Sequence, residues 1–125
     1  MFQRMQDRGQ IIKVRLILEN EFIPNTYSNN VVFEIVGSTY PDQIILAGGH
    51  IDTWDTGSQT GANDDGGGFI TVFEAFRLLI ENGFRPKRTL RFIAWSGEES
   101  GSEIDGAAQY ATTHAKELSK HVAAF

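Results

Sequence analysis

The chain has 125 residues, of which 41% are hydrophobic, and a formal net charge of −5. This length suits one modest globular domain with its own core. The acidic balance argues against a nucleic-acid or anionic-membrane partner, because such surfaces attract basic patches, and the one local basic cluster, Arg85 to Arg88, fits a solvated turn. The sequence contains no cysteine, which excludes disulfide scaffolds, thiolate metal sites and cysteine nucleophiles. No apolar run approaches the roughly 20 residues that span a bilayer.

Two runs of alternating apolar and polar residues, rich in β-branched side chains, come first along the chain. Gln10 to Phe22 and Val31 to Ser38 each predict a strand, and Pro24 with the polar residues after it predicts the connection. We therefore expect these two strands to form a hairpin. The next run, Ile44 to Ala47, is continuously apolar, which predicts a strand covered on both faces in the middle of a sheet.

Helix and strand patterns alternate in the second half of the chain. Apolar residues spaced three and four apart from Phe69 to Ile80 predict an amphipathic helix that Gly83 ends. Thr89 to Ser96 predicts a strand, Gly106 to Lys120 a helix, and residues 121–125 the beginning of another strand. Two strands that are joined by a crossover helix pair in parallel. The sequence thus predicts an α/β fold with a mixed, largely parallel central sheet and flanking helices.

Three polar clusters fall at one edge of this predicted sheet: HID at 50–52 after one strand, NDDG at 63–66 before the helix, and GEES at 97–100 after the next strand. Open α/β sheets bind ligands at the carboxyl ends of their strands. Histidine and carboxylates without thiolates suit zinc, manganese or a related divalent cation. Each cluster alone also fits an ordinary structural role, as a hydrogen-bonded histidine, a helix N-cap or a solvated loop pair. Their joint occurrence favours a metal site.

Residue spacing suggests a role for each of these side chains. Asp52 lies two positions after His50 and faces the same way along a strand, so we expect its carboxylate to accept a hydrogen bond from the imidazole. Asp64 and Asp65 precede the helix, where a carboxylate is favoured, and a carboxylate with two oxygens can bridge two cations. Glu98 and Glu99 would repel each other without a metal. We expect one of them to bind the metal and the other to act as a general base.

Other ligand motifs fail in the same stretch. GANDDGGG has no lysine and cannot be a P-loop. A calcium loop beginning at Asp52 would place Trp54 where an oxygen ligand is required, and Ser96 lacks the Gly-x-Ser-x-Gly frame of a nucleophile elbow. The glycines at 66–68 predict a poor helix start, at which the backbone can approach a ligand closely.

GGHIDTWD, GANDDGGG and RPKRTLRFIAWSGEESG, in this order, resemble the aminopeptidase and glutamate-carboxypeptidase family of co-catalytic zinc metallopeptidases. The resemblance extends from about Gln43 to Gly101. It implies a three-layer sandwich of the zinc-exopeptidase type, two Zn²⁺ ions in a complete site, and a peptide substrate. It also implies a cis peptide bond between Asp64 and Asp65.

The resemblance assigns one role to each site residue. It implies that His50 binds one zinc, Asp64 bridges both and Glu99 binds the other. Asp52 would then orient His50, and Glu98 would be the general base. These implied roles agree with what the residue types and their spacing suggest.

The family uses five ligands, and two of them, an aspartate on the next strand and a later histidine, have no counterpart in this sequence. Residues 1–125 are therefore expected to be the N-terminal part of a single zinc peptidase domain, truncated before the last two ligands and inactive by itself. The resemblance also implies a secreted or lysosomal location, and it leaves open a homodimer of the full-length parent.

Three functions remain open. The first is a metallo-exopeptidase that acts on dipeptides or peptide termini. The second is a catalytically inactive peptidase-like scaffold or binding domain, because some members of the superfamily have lost their metals. The third is an acidic cation-binding module, which needs no general base. The presence of His50, Asp64, Glu98 and Glu99 favours the enzyme.

Overall fold

The computed structural model describes residues 1–21, 24, 26–101 and 105–125. Its centre is a four-stranded sheet of β1 (Val31–Ile35), β2 (Tyr40–His50), β3 (Arg88–Trp95) and β4 (His121–Ala124). The strand order is β1-β3-β2-β4. β2 runs parallel to β3 and to β4, whereas β1 runs antiparallel to β3. The predicted α/β class with a mixed, largely parallel sheet is confirmed.

β3 lies inside the sheet and carries the most deeply buried side chains. Phe92, Ile93 and Ala94 expose 1%, 0% and 2% of their surfaces. A strand with neighbours on both edges and layers on both faces needs apolar residues in succession, as this strand has. Successive side chains point to opposite faces: Phe92 and Ala94 pack into one layer and Ile93 into the other.

One helix covers each face of the sheet. α2 (Gly67–Glu81) buries Phe76 against Phe92, with ring centroids 5.8 Å apart. α3 (Gly106–Thr113) buries Tyr110 beside Leu46 and Ile93 on the other face. Helix, sheet and helix form the three layers that the sequence resemblance implies. A short helix α1 (Phe2–Gln6) buries none of its residues.

The predicted first strand and hairpin are wrong. Residues 10–21 form no strand, and Phe22, the last residue of the prediction, lies outside the described residues. β1 pairs with β3 instead, with Val31 opposite Ala94. The cause is packing, because Phe33 of β1 stacks on Phe92 with centroids 4.6 Å apart, whereas Leu16 is 75% exposed. Strand propensity reflects how well a side chain packs on a sheet and does not choose the partner.

Two helix boundaries also differ from the predictions. α3 ends at Thr113 instead of Lys120, and a turn and a short 3₁₀ helix, Leu118–Lys120, lead into β4. This turn lets the chain reverse so that β4 lies parallel beside β2. α2 begins at Gly67 in spite of its glycines, because the Asp65 carboxylate accepts a hydrogen bond from the Gly68 amide at 3.1 Å. No helix in the described ranges is long and apolar enough to cross a membrane.

Candidate metal centre

The ends of β2 and β3 bring two of the polar clusters together. β2 ends at His50 and β3 at Trp95, and these residues are paired in the parallel ladder. The Ile51 amide donates to the Trp95 carbonyl at 2.9 Å, so the segments remain adjacent beyond the strands. The third cluster reaches the same edge, because Asp64 in the turn before α2 contacts His50.

His50 is held at both ring nitrogens. Nδ1 lies 2.9 Å from the Asp52 main-chain carbonyl, which only accepts hydrogen bonds, so this nitrogen carries a hydrogen. Nε2 lies 3.1 Å from Asp64 Oδ1 and 3.8 Å from Glu98 Oε2. The side chain is only 10% exposed. A nitrogen that faces two carboxylates requires a positive charge, either a proton or a metal ion, between them.

The pKa of His50 reflects these neighbours. Burial lowers the pKa, but hydrogen bonds to Asp64 and to the Asp52 carbonyl raise it, as do the charges of Glu98 and Asp52. The net result is a pKa above the ordinary 6.5. A divalent cation can replace the proton, because neutral imidazole is the form that binds metal.

His50, Asp64 and Glu99 form a group that can hold a metal ion. Each offers a ligand atom, and these atoms lie within 4.8 Å of one another. Trp54 Nε1 donates a hydrogen bond to Glu99 Oε2. The other oxygen, Glu99 Oε1, is buried and has no hydrogen-bond partner among the described residues. A buried carboxylate oxygen of this kind is costly unless something positive meets it. The donor set and this oxygen both fit zinc.

The Asp52 side chain does not make the contact expected from strand alternation. Its Oδ1 lies 3.6 Å from His50 Nδ1, and the main-chain carbonyl takes the hydrogen bond instead. The physical reason is that β2 ends at His50, so the two-residue alternation of a strand does not extend to Asp52. The Asp52 carboxylate accepts hydrogen bonds from the backbone amides of Glu98, at 3.2 Å, and Glu99, at 2.9 Å. It therefore holds the turn that carries both glutamates.

Asp64 and Asp65 have separate positions. The turn Ala62–Gly66 is irregular, with non-helical dihedrals at both aspartates, and the peptide bond between them is cis, as the resemblance implies. Asp64 is 66% exposed and faces His50, whereas Asp65 caps α2. The helix-cap interpretation thus applies to Asp65. A cleft of about 220 Å³ opens beside this turn and is lined by His50, Thr53, Thr60, Asp65 and Phe69, among others.

The comparison with known proteins identifies the family. Residues 30–125 match the sequence profile described as Peptidase family M28. The chain belongs to this family. The resemblance carried by GGHIDTWD, GANDDGGG and the segment ending in GEESG is therefore confirmed.

The relatives are peptidases by name. Carboxypeptidase Q of Xenopus laevis is 46% identical over 119 residues, which are 95% of this chain and 24% of that protein. Carboxypeptidase Q of Rattus norvegicus is 45% identical over 121 residues, 97% of this chain and 25% of that protein. The crystal structure of a peptidase M28 precursor from Shewanella amazonensis superposes with a TM-score of 0.69 at 40% identity, covering 76% of this chain and 21% of that one. This chain spans about a quarter of the length of these carboxypeptidases.

The sequence predictions overlooked Trp54 as a site residue. Its indole N–H binds Glu99 across 45 positions of the chain. The only sequence signal is its place two positions after Asp52, in the segment between two predicted site clusters. The role of a tryptophan in such a segment cannot be predicted from the sequence, because it depends on the fold that brings Glu99 beside it.

Proposed function

We propose that this chain supplies part of the active site of a zinc-dependent metallo-exopeptidase that hydrolyses dipeptides or terminal peptide bonds. The observation that supports it most is the convergence of His50, Asp64 and Glu99 within 4.8 Å at the carboxyl edge of the parallel strands. Membership of a peptidase family and the carboxypeptidase names of the relatives support the reaction class.

In this proposal, His50, Asp64 and Glu99 would hold the zinc, with His50 on one ion, Glu99 on the other and Asp64 shared between them. Zinc at such a site supplies a nucleophilic water at neutral pH and polarises the scissile carbonyl. Asp52 orients His50 through its main-chain carbonyl. Trp54 fixes one oxygen of Glu99, and the other oxygen, Oε1, would be available to a metal.

Glu98 is the proposed general base. It takes a proton from the water that attacks the peptide carbonyl and returns a proton to the departing amine. Its Oε2 is 3.8 Å from His50 Nε2, and its side chain is 57% exposed, so it borders the metal group and remains open to a substrate. The backbone amide of Glu98 is anchored on Asp52 at 3.2 Å, which limits its motion.

Three side chains are fewer than two zinc ions require, since a catalytic zinc takes about three protein ligands. We propose that residues 1–125 are the N-terminal part of one zinc peptidase domain and that the other two ligands belong to a part that this chain does not span. We also propose that the parent protein acts on a peptide substrate and is secreted or lysosomal, and that it can form a homodimer. Cell fractionation of the tagged parent protein tests the location.

A chimera tests the reaction directly. The matching segment of Rattus norvegicus carboxypeptidase Q is replaced by this chain, and zinc content and hydrolysis of dipeptides are measured. Glu98→Gln should reduce turnover by about 10²-fold or more and leave the zinc content unchanged. Asp55→Asn is the control, because Asp55 is an exposed carboxylate in the same segment as the site residues.

The results separate the candidate functions. Full activity of the Glu98→Gln chimera would contradict the proposed base. A folded, zinc-loaded chimera without activity would favour the acidic cation-binding module, whereas a folded chimera that holds no zinc would favour the catalytically inactive scaffold. Peptides blocked at the amino or at the carboxyl terminus show which terminus the enzyme requires.

A further inference from the structure

Asn30, which directly precedes β1, joins the two ends of the connection between β3 and α3. Its Oδ1 accepts a hydrogen bond from the Ser96 amide at 3.0 Å, and its Nδ2 donates to the Gly106 carbonyl at 2.7 Å. The Gly106 amide also donates to the Ser96 carbonyl at 2.8 Å. Among the described residues, three hydrogen bonds close the base of the connection that carries Glu98 and Glu99, and Asn30 makes two of them.

The fit at this base is close. A Cβ atom on Gly106 would lie 2.1 Å from Asn30 Oδ1 and 2.7 Å from the Ser96 carbonyl oxygen. Only glycine allows the backbone of α3 to approach this near. The position of Ser96, two residues before Glu98, therefore depends on the Asn30 side chain.

Asparagine suits both partners in a way that similar side chains do not. The Ser96 N–H must meet an acceptor and the Gly106 C=O must meet a donor, which also fixes the orientation of the amide. Aspartate would place an oxygen against the Gly106 carbonyl, and serine is too short to span both groups. The remote end of the same turn is held separately, because the Asp52 carboxylate binds the amides of Glu98 and Glu99.

We infer that Asn30 is a positioning residue for Glu98 and Glu99. It fixes the base of their connection, while Asp52 fixes the two amides themselves. This inference rests on the proposed function, in which Glu98 is the base and Glu99 a metal ligand. Asn30 lies 66 positions from Ser96 in the sequence and touches neither glutamate in any contact described above.

The test compares the chain with Asn30→Asp, Asn30→Ser and a matched control, Asn82→Asp. Asn82 also donates its amide to a backbone carbonyl, that of Leu78 at 2.8 Å, but at the end of α2. Amide hydrogen exchange of Glu98 and Glu99 is measured by NMR without metal. Co²⁺ is then titrated, and its visible absorption reports ligand geometry. Thermal unfolding gives the overall stability of each variant.

For Asn30→Asp, we expect exchange at Glu98 and Glu99 to be about tenfold faster than in the unsubstituted chain, while the amides of β3 are unchanged, together with a shifted Co²⁺ spectrum. Asn82→Asp should change neither. Equal exchange at the two glutamates in both variants would overturn the inference, as would failure of both Asn30 variants to fold, since Asn30 would then serve the fold alone. The exchange measurement needs no metal, so it decides the role of Asn30 even where the chain, with its group of three ligands, binds Co²⁺ too weakly to detect. The chimera tests the proposed metal centre separately.

Discussion

His50 Nε2 lies 3.1 Å from Asp64 Oδ1, although the two residues are fourteen positions apart. The end of β2 supplies the imidazole and the irregular turn before α2 supplies the carboxylate. Glu98 and Glu99 approach the same point from the end of β3. A concentration of negative charge around one partly buried imidazole is stable only with a proton or a metal ion between the groups, and this requirement leads to the predictions on metal binding and pH.

Removal of the Asp64 charge should weaken metal binding. Asp64→Asn keeps the shape of the side chain but removes a ligand charge, so we expect zinc affinity to fall at least about tenfold, or about 1.4 kcal/mol. Isothermal titration calorimetry measures the affinity, and Asp55→Asn is the control.

Zinc binding by the 125-residue chain should be weak in absolute terms. The described residues offer a group of three metal ligands, and a tetrahedral zinc site uses about four. Two tight sites in the same titration would contradict both this expectation and the proposal that further ligands lie elsewhere.

Metal affinity should depend on pH through His50. Its hydrogen bonds and charged neighbours raise its pKa above 6.5 in the metal-free chain. Protons therefore compete with zinc, and affinity should fall as the pH drops through the raised pKa. An NMR titration of the imidazole measures the pKa. Asp64→Asn should lower it, and an unchanged pKa in that variant would show that Asp64 does not act on the ring.

Two neighbouring glycines should respond oppositely to alanine. A Cβ at Gly68 would lie 2.2 Å from Asp65 Oδ1, so Gly68→Ala should displace the α2 cap and destabilise the chain by about 1–2 kcal/mol. A Cβ at Gly67 meets nothing nearer than 3.7 Å. Gly67→Ala should be neutral or stabilise by up to about 1 kcal/mol, because alanine favours the helix. Urea unfolding of both variants measures the difference, and equal effects would contradict the close approach at Gly68.

Acid should weaken the ion pair between Arg91 of β3 and Glu117, which lies in the turn after α3. The hydrogen bond from Arg91, at 2.7 Å, holds the pKa of Glu117 below its ordinary 4.5, although burial opposes this. A lowered carboxylate pKa stabilises the fold fully above pH 4.5, and this contribution is lost as the pH falls through the lowered pKa. Glu117→Gln should therefore be less stable at neutral pH and lose less stability in acid, by thermal unfolding. Glu19→Gln, at an exposed position, should behave as the wild type.

Core and surface phenylalanines should differ sharply. Phe92 is 1% exposed and contacts rings from β1 and α2, whereas Phe84 is 52% exposed. Phe92→Ala should cost about 3–5 kcal/mol, and Phe84→Ala should cost little. A small loss for Phe92→Ala would mean that the phenylalanine layer under α2 is not the main core.

The sequence by itself determined the central elements and the composition of the candidate site. Apolar runs around Ile44 and Phe92 predict buried strands, and the spacing of apolar residues in α2 predicts its buried face. Both are visible in the sequence because buried positions are occupied by apolar residues. The convergence of the three polar clusters is predicted by the rule that parallel strands bring their carboxyl ends to one edge of the sheet.

Only the tertiary structure decided which elements pair and which atoms meet. The apolar run at residues 10–21 looks as strand-like as β1, but packing on Phe92 selects β1 and leaves the other run exposed. The Asp52 carboxylate binds the glutamate amides instead of His50, and Trp54 and Asn30 gain their roles from partners 45 and 66 positions away. Local patterns cannot encode such contacts, because these hydrogen bonds depend on distances that exist only after the strands and helices have packed.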